Sequence, residues 1–287
     1  MIKCRTSADI RPDFLCIGAQ KAGTKWLYDQ LAAHPATWMP LVKELHYFDR
    51  RFRPERMQAA LEGRKRRRNR PLDDRDRAFL EHAVTYVGDT VDFVWYRQLF
   101  AAKGDHVSGD ITPAYSILSG DMVAAINRGL PGIKIVFLVR DPIQRLWSQL
   151  AMGIRGRSGA VGTSLDDLPA LREIIISPLF AGRSFPALTA RTWRQEFGHE
   201  RVFIGFFDDL QERPAWLRAR IFEFVGIAPD DATAQLAVDH NPKAGVWKPE
   251  MTSAIRETLT DHFRDELHRC ADELGGPARN WPARYGL

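Results

Sequence analysis

The 287-residue chain reads as an α/β protein, a central parallel sheet flanked by helices on both faces. Three observations predict it. Phe14, Leu15, Cys16 and Ile17 form an apolar run ending at Gly18, and Gly23 opens a helix-forming stretch, so a glycine-bracketed loop joins a buried strand to a helix. Residues 135–139 are continuously apolar, as in a strand covered on both faces, and Pro142 behind them suits a first helical turn. Residues 202–207 repeat the strand pattern, followed by an amphipathic helix over about 215–225 that stops at Gly226. Alternation of this kind makes strands parallel, with ligands at their carboxyl ends.

Each element follows from its residues. The loop 18–26 reads Gly18, Ala19, Gln20, Lys21, Ala22, Gly23, Thr24, Lys25, Trp26. Its amides and the helix N-terminus aim N–H groups at one spot, and Lys21 adds a positive charge, which suits an anion. In the helix that starts at Pro142, Ile143, Leu146, Trp147 and Leu150 form a buried stripe and leave Gln144 and Ser148 on another face. Arg140 stands at the carboxyl end of the preceding strand, where a guanidinium and the Ser148 hydroxyl can grip one phosphate. A last long helix is predicted over about 249–274, with Ile255, Leu259, Phe263, Leu267 and Cys270 as its stripe. Between the first helix and the later strands, residues 50–77 read as an irregular, polar and basic stretch.

Composition narrows the class. The chain is 45% hydrophobic, shows neither internal repeat nor low-complexity linker, and reads as one domain over residues 1–287 with a basic insertion or lid at about 50–84. The net charge of +5 is concentrated: from Gly63 to Arg70 six of eight residues are basic, beginning at Arg64. That segment reads as a solvated loop or as a rim that attracts an acidic partner or an anionic acceptor. Nucleic acid is not expected, because no aromatic residue interleaves the cluster. No run approaches the roughly 20 apolar residues of a membrane span, and residues 1–14 lack a signal-peptide core. Cys4, Cys16 and Cys270 are too scattered for a disulfide framework or zinc site, so a cytoplasmic protein with no metal is expected.

The loop departs from the nucleotide-binding pattern G-x-x-x-x-G-K-[ST]: Gly18 and Gly23 have its spacing, but Thr24 follows and the lysine comes earlier, at Lys21. Three further segments accompany it. Lys43, Glu44, Leu45, His46, Tyr47, Phe48 and Asp49 follow His34 and Pro35; Gly109, Asp110, Ile111, Thr112, Pro113, Ala114 and Tyr115 form the second; residues 134–148, with Arg140, Asp141, Pro142, Arg145 and Ser148, form the third. Together these four, in order over about residues 14–150, resemble the P-loop-type sulfotransferases that use 3′-phosphoadenosine 5′-phosphosulfate (PAPS). The match is strongest to the heparan-sulfate type, glucosaminyl 3-O branch, and to soluble bacterial members.

The resemblance implies transfer of a sulfuryl group from PAPS to a hydroxyl or amine of a carbohydrate, lipid or small metabolite, without a metal. It implies that Lys21, Ala22, Gly23, Thr24, Lys25 and Trp26 hold the 5′-phosphate, that Lys21 meets charge on the leaving oxygen, and that Arg140 and Ser148 hold the 3′-phosphate. Lys243 and Gly245 resemble the loop that closes over that phosphate. Glu44 is implied as the base, Lys43 as a second cation, and His46 and Asp49 as acceptor contacts. By the residues alone His46, which titrates nearer neutrality than an unperturbed glutamate, is an alternative base to Glu44, with Glu44 preferred. Ile111 stands where the branch has a lysine that touches acidic sugar groups, so the resemblance does not extend to a heparan-like acceptor. Two other readings share these residues: a kinase using a nucleoside triphosphate and Mg²⁺, and a non-catalytic nucleotide-binding protein on the same fold.

Overall fold

The computed structural model describes residues 10–63, 72–88, 90–155, 168–228, 236–239 and 250–287. Strand β1 (Phe14–Gly18) leads through the glycine loop into α1 (Thr24–Ala33), and α2 (Pro54–Leu61), α3 (Asp74–Val84) and α4 (Phe93–Gln98) follow. Next come β2 (Gly109–Ile111), a 3-10 turn at Pro113–Ile117, α5 (Gly120–Gly129) and β3 (Lys134–Val139). Helices α6 (Pro142–Arg155), α7 (Leu168–Ile176), α8 (Pro178–Ala181) and α9 (Pro186–Phe197) lead to β4 (Val202–Phe206). The chain closes with α10 (Phe207–Glu212), α11 (Pro214–Val225) and α12 (Ser253–Leu274), then short 3-10 turns at Gly276–Asn280 and Pro282–Tyr285.

The strands are all parallel, in the order β2-β1-β3-β4. Every residue of β1 is buried, as is β3 after Lys134, so helices cover both faces of the sheet. From β1 the chain crosses to β2 on one side, whereas from β3 it crosses to β4 on the other. That reversal opens a crevice at the carboxyl ends of β1 and β3, where open α/β sheets bind ligands. Gly18 and Arg140 both lie at that edge.

The stripes predicted for α6 and α12 are buried: Ile143, Leu146, Trp147 and Leu150 on one, Ile255, Leu259, Phe263, Leu267 and Cys270 on the other. The irregular reading of the 50–84 stretch is corrected. Residues 54–61 and 74–84 are helical, and Met57, Ala60, Phe79, Leu80 and Ala83 are buried in the core. Start signals were present: Pro54 sits in the first turn of α2, and Asp73 caps α3 by accepting from Asp76 N at 2.8 Å. The charge density of the intervening basic residues masked a helical period too short to stand out. The Arg64 to Arg70 cluster lies outside the described residues.

Candidate active site

The loop 18–26 is shaped by backbone conformations that few residues adopt. Gly23 caps α1 with φ 95°, and Lys21 has φ 73°. A Cβ on Gly23 would come 2.6 Å from Leu210 Cδ2, and one on Gly18 would come 3.2 Å from Pro113 O and Ser116 Cβ. Glycine is therefore needed at both ends of the loop. Ala19 N donates to Leu138 O at 2.5 Å, and Arg140 Nη1 donates to Lys21 O at 3.0 Å, so the loop is bolted to the end of the neighbouring β3. Thr24 is buried at the helix start, and Lys21 Nζ lies 3.6 Å from Met152 Sδ on α6. Lys25 turns along α1 to pair with Asp29 at 2.5 Å.

Beside the loop a cavity of about 270 Å³ is lined by Arg140, Gln144, Phe207, Arg256, Arg284 and Tyr285, among others. Arg140 stacks on Phe207, 4.3 Å from the ring centre, and burial lowers its pKa. The charges of Asp141 and Asp208 oppose that shift. Asp141 also caps α6 by accepting from Ile143 N at 2.9 Å and Gln144 N at 3.2 Å, and it accepts from Tyr285 OH at 2.8 Å. Arg284 bridges Asp141 and Asp208, so the chain's last turn forms one wall. This C-terminal wall carries no motif, and sequence reasoning missed it. Ser148, two turns into α6, is half-buried. Trp26 Nε1 donates to Val238 O at 2.7 Å and Gln30 Nε2 to Ala237 O at 2.9 Å, which fixes the segment just before the loop of Lys243 and Gly245. Those two residues lie outside the described residues.

The acid–base segment hangs from the end of β2. Asp110 is fully buried and accepts from Tyr115 OH at 2.7 Å, Thr112 Oγ1 at 2.7 Å and Tyr96 OH at 3.1 Å. Burial raises its pKa while these hydroxyls and the Leu45 N–H lower it. Tyr115 OH in turn accepts from Tyr47 N at 3.0 Å, and Arg56 of α2 donates to the carbonyls of Glu44 and Lys43 at 3.0 and 3.1 Å. Residues 43–47 are thus held from both sides. The grip sustains left-handed backbone at two non-glycine residues, Glu44 (φ 64°) and His46 (φ 58°), a conformation that a loop keeps only when its surroundings over-determine it.

Four titratable side chains meet there. Lys43 Nζ lies 2.6 Å from Glu44 Oε1, His46 Nε2 lies 3.7 Å from Glu44 Oε2, and His46 Nδ1 lies 2.7 Å from Asp49 Oδ2. Burial alone would raise the Glu44 pKa, but the His46 hydrogen bond and the Lys43 charge overcome it and hold it at about 2. The hydrogen bonds of His46 to Asp49 and then to Glu44 raise its pKa to about 9. At neutral pH the pair is therefore carboxylate and imidazolium. Arg183 links this loop to the phosphate loop: its Nη1 donates to Gln20 Oε1 at 3.2 Å, and Asp49 and Glu44 both act on its charge. Ile111 is buried under the site and presents nothing to an acceptor.

A lysine-bearing glycine loop, a strand-end arginine and a carboxylate held between two cations mark the candidate site on this parallel α/β sheet. Residues 12–231 match the sulfotransferase family, and the chain belongs to it. Human carbohydrate sulfotransferase 15 is 22% identical over 316 residues, covering 94% of this chain and 54% of the relative, so the chain spans about half that protein's length. A sulfotransferase from Alicyclobacillus acidocaldarius has the same fold, with a TM-score of 0.63 at 22% identity, covering 94% of this chain and 98% of its own. The sulfotransferase domain from the curacin biosynthetic pathway follows with a TM-score of 0.57 at 15% identity, covering 92% and 97%. Among the described residues no helix is long and apolar enough to cross a membrane.

Proposed function

We propose that the chain transfers a sulfuryl group from PAPS to a hydroxyl or amine of a carbohydrate, lipid or small-metabolite acceptor, with Glu44 as base. The observation that carries this reading is the link made by Arg183, which touches Gln20 of the phosphate loop and feels Glu44 and Asp49 of the acid–base loop. Donor loop and base thus share one crevice. PAPS fits the residues present: the loop amides at the start of α1 and Lys21 suit an anion, and Arg140, Phe207 and the cavity beside them suit the rest of a phosphorylated nucleoside.

When bound, PAPS supplies the sulfuryl group and a phosphate leaving oxygen. Glu44 takes the proton from the acceptor as its oxygen or nitrogen bonds to sulfur, and the sulfur–oxygen bond to the phosphate breaks with its electron pair on the leaving oxygen. Lys21 meets that charge, with the amides of Ala22, Gly23, Thr24, Lys25 and Trp26 and the Thr24 hydroxyl on the same phosphate. Lys43 turns from Glu44 to the sulfuryl oxygens. His46 serves as an imidazolium that orients Glu44 and Asp49, because a group protonated up to about pH 9 does not accept a proton at neutrality. Arg140 and Ser148, with Lys243 and Gly245, take the 3′-phosphate.

Equilibrium binding tests the donor. PAPS and 3′-phosphoadenosine 5′-phosphate (PAP) bind without Mg²⁺, and turnover survives chelation. Lys21→Ala lowers kcat far more than donor affinity, since charge on the leaving oxygen develops only in the transition state. Tighter binding of adenosine triphosphate, dependent on Mg²⁺, would overturn the assignment in favour of a kinase.

A further inference from the structure

Two arginines behind the acid–base loop, Arg145 buried and Arg183 half-buried, each keep a side-chain nitrogen with no hydrogen-bond partner among the described residues. Arg145, on α6, is 1% exposed, and its Nη1 has no hydrogen-bond partner. Its Nε donates to Ser184 Oγ at 2.5 Å and its Nη2 to Phe180 O at 2.9 Å, so it braces the turn that carries Arg183. No carboxylate pairs with it among the described residues. Burial, together with the nearby charges of Arg183 and Arg140, lowers its pKa to about 9.

Arg183 has a similar deficit. Its single side-chain hydrogen bond among the described residues goes to a neutral amide, Gln20, and its Nε is buried without a partner. The first charge acting on it is a like one, Arg51, ahead of Asp49 and Glu44. Those carboxylates are already engaged by Lys43 and His46. Around the base, the cations Lys43, His46, Arg51 and Arg183 face two carboxylates, Glu44 and Asp49. Arg183 is half-buried and Arg51 exposed, so this excess of positive charge beside the base is open to an oxyanion arriving from solution. Forked guanidinium donors match a carboxylate, sulfate ester or phosphate ester in shape.

We propose that Arg183, with the neighbouring Arg51, receives an anionic group of the acceptor, so that this enzyme sulfates an acidic molecule whose hydroxyl or amine is thereby delivered to Glu44. Arg145 is the positioning residue that aims Arg183. The inference rests on the PAPS reading above and adds the substrate class. The buried Ile111 excludes the β2 strand end as the source of this contact, and Arg183 supplies it from the α8–α9 turn instead.

The test uses the full chain saturated with PAP, which occupies the donor site, and titrates inorganic sulfate by calorimetry. Wild type binds sulfate, Arg183→Ala weakens it about tenfold or more while PAP affinity stays within about threefold, and Arg183→Lys recovers most of the loss. Absence of sulfate binding by the wild-type PAP complex overturns the proposal. So does a tenfold loss of PAP affinity in Arg183→Ala, which assigns the arginine to the donor. Sulfate lost in Lys43→Ala but kept in Arg183→Ala places the ion at the sulfuryl position and also overturns it. A wild-type chain that binds no PAP refutes the donor reading itself, a result read before sulfate is added, and the acceptor proposal falls with it.

Discussion

Replacing Glu44 with glutamine keeps the shape of the side chain and removes its capacity to accept a proton. In the resting site Lys43 at 2.6 Å and His46 at 3.7 Å hold the carboxylate ionised, with a pKa near 2. A carboxylate so stabilised is a poor base. Its strength must come from donor binding, which draws Lys43 to the sulfuryl oxygens and withdraws a cation from Glu44; each unit of pKa regained is about tenfold in proton affinity. Glu44→Gln should therefore lower kcat by about 10²- to 10⁴-fold with PAP affinity unchanged. Stability should fall by only about 0.5 kcal/mol, because the pair is partly solvated and the amide keeps some hydrogen bonding. The assay is initial rate against pH, in wild type and variant, with an acceptor that the wild type sulfates. The acid limb of kcat, which reports the donor-bound enzyme, should lie at higher pH than that of kcat/KM, which reports the free enzyme with Glu44 near 2. The alkaline side has the opposite sign: a raised His46 pKa means that the imidazolium's contribution is complete below about 6.5 and lost as pH rises through about 9. Near-normal turnover in Glu44→Gln, with His46→Ala inactive and an acid limb near 6.5, would refute this reasoning and exchange the two roles.

Three other outcomes follow from the same geometry. Asp110→Asn leaves one acceptor oxygen where a carboxylate meets three hydroxyl donors, so it should destabilise the fold by about 3 kcal/mol in denaturant titration and lower kcat as residues 43–47 lose their anchor. Arg140→Ala removes both the bolt to Lys21 O and the Phe207 stack, and calorimetry should show PAP affinity reduced at least tenfold; unchanged affinity would remove Arg140 from the 3′-phosphate site. Gly23→Ala places a Cβ against Leu210 at a left-handed position, which should cost about 1–2 kcal/mol in thermal unfolding and weaken the donor; a variant as stable as wild type would show that the loop tolerates other backbone.

Local sequence determined the elements that carry their own signal. An apolar run that ends at a glycine marks a buried strand entering a tight loop, and the stripes of α6 and α12 follow from the helical period, so the sheet and the glycine loop at its carboxyl edge were legible in the sequence. The run from Lys43 to Asp49 was legible as chemistry too, because a lysine, a glutamate, a histidine and an aspartate lie within seven residues. Tertiary structure decided what those residues are at neutral pH. His46 is an imidazolium and Glu44 a strongly ionised carboxylate only because the loop is pinned by Asp110, Tyr115 and Arg56, residues whose roles no local pattern states. The strand order was likewise not local: it sets Arg140 against Lys21 across 119 positions and Arg183 against Gln20 across 163. Periodicity reports which face of an element is buried, whereas the partner met by a buried charge depends on how the chain returns through space. For that reason the strand and its glycine loop could be read from the sequence, and the arginines behind residues 43–49 could be read only from the fold.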